Sequence, residues 1–102
     1  MTRIPDKLDH SLAAEIEEAR KLLDVMGDAL SADIDVITNH CTSLQTIDIV
    51  MQMLGHIANV VRSENRCETV DGIGMHDLKM KLLPAALEAA RRSREAACDK
   101  AA

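Results

Sequence analysis

The chain has 102 residues, 47% of them hydrophobic, contains no Phe, Tyr or Trp, and carries a formal net charge of -5. That length makes one domain, 1–102, with an aliphatic core, and the lack of aromatic side chains or a basic face argues against nucleic acid as a partner. The acids crowd into residues 1–50, ten against four bases, while residues 51–102 hold seven acids and eight bases.

The N-terminus, MTRIPDKLDH, has no hydrophobic signal core, and no apolar run reaches the roughly 18 residues of a membrane span. The expectation is a cytoplasmic protein that does not enter a membrane. Cys41, Cys67 and Cys98 are odd in number and form no C-x-x-C, as expected of reduced thiols rather than a disulfide framework.

A first helix is expected over 6–30. Leu8, Leu12, Ile16, Ala19, Leu23, Met26 and Leu30 recur at steps of three and four, an amphipathic pattern, with Gly27 and Asp28 weakening its end. Ser31 or Asp33 then caps a long central helix over 33–64, and so short a connection folds the two into an antiparallel hairpin. The central helix organises the chain. At about 100° per residue, Thr38, Gln45, Asp48, Gln52, His56, Asn59 and Ser63 fall within one wedge of about 80°, with Cys41 and Gly55 near its edge. Ile47, Ile49, Val50, Met51, Met53, Leu54, Ile57, Ala58, Val60 and Val61 cover the rest, an apolar surface too wide for a single neighbouring helix. Either two other helices of the chain cover it, or a second copy does.

The polar segment SENRCETVDGIG ends that helix, with room for a short turn of helix over 68–71 and with Val70 and Ile73 as anchors onto the core. A third helix is expected over 75–98, carrying Leu78, Leu82 and Leu87, kinked or divided at Pro84 because proline lacks the backbone donor and crowds the preceding turn. From Arg91 onward there is no large apolar residue, so the tail reads as an exposed helix end that frays. The fold class is therefore all-α: an antiparallel bundle of three helices, four if Pro84 divides the last, assembling as a homodimer through the central helix.

Candidate chemistry is sparse. His40 with Cys41, and Cys67 with His76, lack companions at zinc-ligand spacing, so no metal and no cofactor is expected. No glycine-rich elbow surrounds a Ser or Cys nucleophile, and no catalytic residue is assigned on that route. His56 in the polar stripe, and Asn39-His40, which looks like the phosphoacceptor box of some histidine kinases, raise histidine phosphotransfer; the residues that usually follow such a histidine are replaced by Asn59 and Val60, or by Ser43 and Leu44.

The stripe holds the sharper pattern. The run Leu44-Gln45-Thr46-Ile47-Asp48-Ile49-Val50-Met51-Gln52 resembles the D-x-x-x-Q helix of the chemotaxis phosphatase CheZ. That resemblance implies a dimeric helical bundle acting on a response regulator, with Asp48 as the docking acid and Gln52 as the amide that orients water toward an aspartyl phosphate. An i, i+4 pair shares one helix face, and an amide orients water without titrating. The main expectation is a non-enzymatic interaction or regulatory module of bacterial signalling, whose binding residues are Gln45, Asp48, Gln52, His56 and Asn59; the alternative is a response-regulator phosphatase using Asp48 and Gln52.

Overall fold

Asp6 closes the start of the first helix. Its carboxylate accepts from the Asp9 amide at 2.8 Å while the Asp9 carboxylate accepts from the Asp6 amide at 3.1 Å, so two amides that a helix start leaves unpaired are satisfied reciprocally. In the computed structural model, which describes the backbone of residues 3–101 and the side chains of residues 3–93, the described chain is all-α. Its helices are α1 (Lys7–Ser31), α2 (Ile34–Asn39), α3 (Cys41–Val61), α4 (Arg66–Asp71) and α5 (His76–Ala101).

Four of these differ from the elements read off the sequence. The long helix expected over 33–64 is two, α2 and α3, separated at His40, whose backbone sits at φ -130°, ψ 30°. The reason is local: Thr38-Asn39-His40-Cys41-Thr42-Ser43 is six consecutive residues of middling or poor helix propensity. Thr38 therefore does not share a helix with Gln45. The expected turn over 68–71 begins earlier, because Asn65 caps α4 by accepting from the Glu68 amide at 3.1 Å. Of the two outcomes expected at Pro84, a kink or a division, the division does not occur: α5 runs through it as one helix. In the C-terminal tail Arg91, Arg92 and Ser93 are exposed as expected, and the side chains beyond them lie outside the described residues; the backbone continues helical to Ala101.

α1 and α3 form the principal contact of the fold and run antiparallel: a Cβ placed on Gly27 would meet Ile47 Cγ2 at 3.7 Å, one on Gly55 would meet the Arg20 guanidinium at 3.5 Å, and Glu17 pairs with Arg62 at 3.6 Å. The most buried residues between them are Ala13 and Ala58, 2% and 0% exposed. On the far side of α3, Met53 and Val60 pack against the cluster of Val70, Ile73 and Leu78 from the α4–α5 segment, with Met75, Leu82, Leu83 and Ala86 around it. Val70 and Ile73 thus occupy the anchoring positions expected of them. The Cys67 thiol donates to the Ala86 carbonyl at 3.3 Å, tying α4 to α5.

The result is one layer of helices. Counting about 100° per residue, Ala58 on the α1 side and Met53 and Val60 on the α4–α5 side lie on roughly opposite faces of α3. The molecule measures 66 × 27 × 14 Å with a radius of gyration of 17.8 Å, against about 13 Å for a compact domain of this length. No helix among the described residues is long and apolar enough to cross a membrane.

Candidate functional site

The two broad faces of the α1–α3 hairpin differ in character because each helix carries a polar flank and an apolar flank, and antiparallel pairing puts like flanks on the same side. On the polar side, α3 presents Gln45, Asp48, Gln52 and Asn59 exposed and His56 half-buried. α1 supplies the opposing wall. Arg20, pairing with Glu17 at 3.3 Å, lays its guanidinium across α3 at Gly55, 3.5 Å from where a Cβ would stand. Arg62, just past the end of α3, pairs with Glu17 at 3.6 Å and donates to the Asn59 amide oxygen.

These groups enclose an open cavity lined by Glu17, Arg20, Gln52, Gly55, His56, Asn59 and Arg62. Of the stripe residues named from the sequence, three, Gln52, His56 and Asn59, line this cavity. Gln45 and Asp48 lie further along α3 and do not. The sequence reading missed Glu17, Arg20 and Arg62, which come from another helix or from beyond the stripe; the signal was Gly55, the one glycine of α3, next to His56 and facing α1.

Chemically the groove is a hydrogen-bonding surface. Two guanidiniums share one carboxylate, and the amides of Gln52 and Asn59 offer donors and acceptors beside them. Among the described residues no hydrogen bond or ion pair engages the side chains of Gln45, Asp48, Gln52 or His56. Nor do three or more His, Cys, Asp or Glu side chains converge in a way that could hold a metal ion. Cys41 is exposed and Cys67 half-buried, both as free thiols; Cys98 lies outside the described side chains.

A second cluster sits where the N-terminus meets the end of α3. Arg3 pairs with Asp9 at 2.6 Å and donates to the Val61 carbonyl, and Arg66 approaches Asp9 at 3.9 Å. The Arg3 guanidinium, then the Asp6 amide, hold the Asp9 carboxyl below its ordinary value. Beside it a cavity of about 150 Å³ is lined by Arg3, Glu64, Arg66 and Cys67 against the alanine wall of Ala86, Ala89 and Ala90. The Nε atoms of Arg3 and Arg66 are buried without a protein acceptor, but Asp9 already serves both guanidiniums. The arrangement clasps the first residues onto the hairpin.

No protein-family model, no curated protein and no solved structure matches the chain.

Proposed function

We propose that this chain is a non-enzymatic helical interaction module that associates with itself and presents the polar stripe of α3 to a protein partner. The observation that carries the proposal is the amount of apolar side chain left on the surface: Ile4, Leu8, Leu22, Val25 and Ile34 are each more than 60% exposed, with Leu12, Met26, Ile37, Ile49, Met80 and Leu87 at 44–54%. Helices bury their apolar stripes in at least two packed layers, and this chain provides one. A second copy supplies the other layer, completing an antiparallel bundle around the hairpin. Light scattering or sedimentation at tens of micromolar tests it: a mass of two chains is expected, and a strict monomer overturns the self-association.

A second reading keeps the resemblance of residues 44–52 to the chemotaxis phosphatase helix. What favours it is that Asp48 and Gln52 are both exposed, on the open polar side of α3, where a globular partner has access. If it holds, Gln52→Ala abolishes stimulated dephosphorylation of an aspartyl-phosphorylated response regulator and leaves the helical circular dichroism unchanged. Undiminished dephosphorylation by that variant rules it out.

A further inference from the structure

We infer that the self-association surface is a stripe on α1, not the apolar side of α3, and that its occupant is the same stripe of a second copy, packed antiparallel about a two-fold axis at Ala19. The inference rests on the self-association proposed above and says where it occurs. On α3 the apolar circumference is largely taken, by α1 on one side and by the α4–α5 cluster on the other, leaving only Ile49 and Val50 as large exposed hydrophobics. α1 carries two apolar surfaces instead of one. Ala13, Ile16, Leu23 and Gly27 face α3, but Leu8, Leu12, Ala19, Leu22, Met26 and Leu30 are all exposed, and at about 100° per residue they fall within about 80° of one another. Glu15 is the only charged residue inside that arc.

The stripe is symmetric along the chain. Counting outward from Ala19, Met26 answers Leu12 and Leu30 answers Leu8, while the position that answers Leu22 is Ile16, half-buried on the α3 side. Two identical helices crossed antiparallel at Ala19 therefore set Leu8 against Leu30 of the other copy and Leu12 against its Met26, with the smallest side chain where the backbones come closest. Self-complementarity of this kind is what an isologous two-fold interface requires. The stripe runs about 33 Å at 1.5 Å per residue, and Val50 and the half-buried Ile57 of α3 widen it on the same side of the hairpin.

The area is of the right size. The chain exposes 7264 Å², about 1,600 Å² more than the roughly 5,700 Å² usual for a folded monomer of its mass. A standard two-fold interface removes about 800 Å² from each partner, so covering a face of that size brings the chain toward the ordinary range. The assembly is then a two-layer bundle whose polar grooves point outward on opposite faces, both free for a partner.

Ala19→Glu tests it, because Ala19 is exposed in the single chain but opposes itself across the axis. The expected result is a helical monomer, the dimer weakened by about 100-fold or more by two facing carboxylates. Ala19→Cys, with Cys41, Cys67 and Cys98 changed to Ser, is expected to form a disulfide-linked dimer on mild oxidation, and serves if the glutamate variant misfolds. A wild-type monomer overturns both this surface and the self-association itself. A dimer that survives Ala19→Glu, or a dimeric Ala19→Cys chain that does not cross-link, overturns the stripe alone. Loss of the dimer in Met80→Glu/Leu87→Glu but not in Ala19→Glu would place the interface on α5 instead.

Discussion

Gly27 lies inside α1, four residues before its end, with an ordinary helical backbone; no described glycine has a positive φ. Glycine there has no conformational reason. The Cβ of an alanine would meet Ile47 Cγ2 at 3.7 Å, an ordinary contact, so Gly27→Ala is expected to stabilise the fold by about 0.5–1 kcal/mol through the smaller backbone entropy lost on folding, read from the urea midpoint. At Gly55 a Cβ would likewise stand in ordinary contact, 3.5 Å from the Arg20 guanidinium that crosses α3 there. At the N-terminal clasp the charge of Asp9 matters. Its carboxyl is held below the ordinary value of 3.8 by Arg3 first and the Asp6 amide second, so the stabilisation is present above that value and disappears as pH falls through the lower folded one. Asp9→Asn is expected to destabilise the fold at neutral pH, and the gap between variant and wild type to narrow as the pH falls below 3.8 through the lower folded value, followed by thermal melts across that range.

At the scale of elements, what the sequence disclosed follows from how local each signal is. The three-and-four spacing of Leu8 to Leu30 is a property of one helix, and α1 falls within a residue of its expected ends. Val70 and Ile73 were legible as anchors because they are the isolated apolar residues of a polar segment. The break at His40 was not, since Thr38 and Asn39 fit the wheel as well as their neighbours and only their summed propensity separates α2 from α3. The arm that α1 lends to the polar groove was hidden too: which residue of α1 lies opposite Gly55 depends on the register of the hairpin, and helical periodicity is silent on register. Pro84 is the opposite case, a strong local signal overridden by its surroundings. Leu82, Leu83 and Ala86 on both sides of it pack against the α4 cluster, and packing of that kind holds the helix through a residue that interrupts its hydrogen-bond ladder. Pro84 itself is exposed. Pro84→Ala is therefore expected to raise stability, by up to about 3 kcal/mol, with a gain in helical ellipticity; a loss of stability would show that α5 needs the proline's geometry.

For the whole molecule the balance of burial decides the state in which the chain exists. Only Ala13, Ala58, Val70, Ile73 and Leu78 are buried among the described hydrophobics, and two of these are alanines whose transfer from water contributes little. Folded domains are stable by a narrow margin, about 5–15 kcal/mol set against a conformational entropy an order of magnitude larger. A chain with so few buried residues therefore gains much of its margin from whatever covers its open side. If that cover is a second copy, folding and association are one equilibrium, and mass action makes the melting temperature rise with chain concentration. Melts from about one to several hundred micromolar, a range of more than two decades, are expected to shift upward together with the loss of monomer in sedimentation, while Ala19→Glu is expected to melt at one temperature throughout, set by the hairpin and the α4–α5 cluster alone. A wild-type melting temperature independent of concentration would mean that the few buried residues of the monomer suffice, and the exposed leucines of α1 would then have no part in holding the fold.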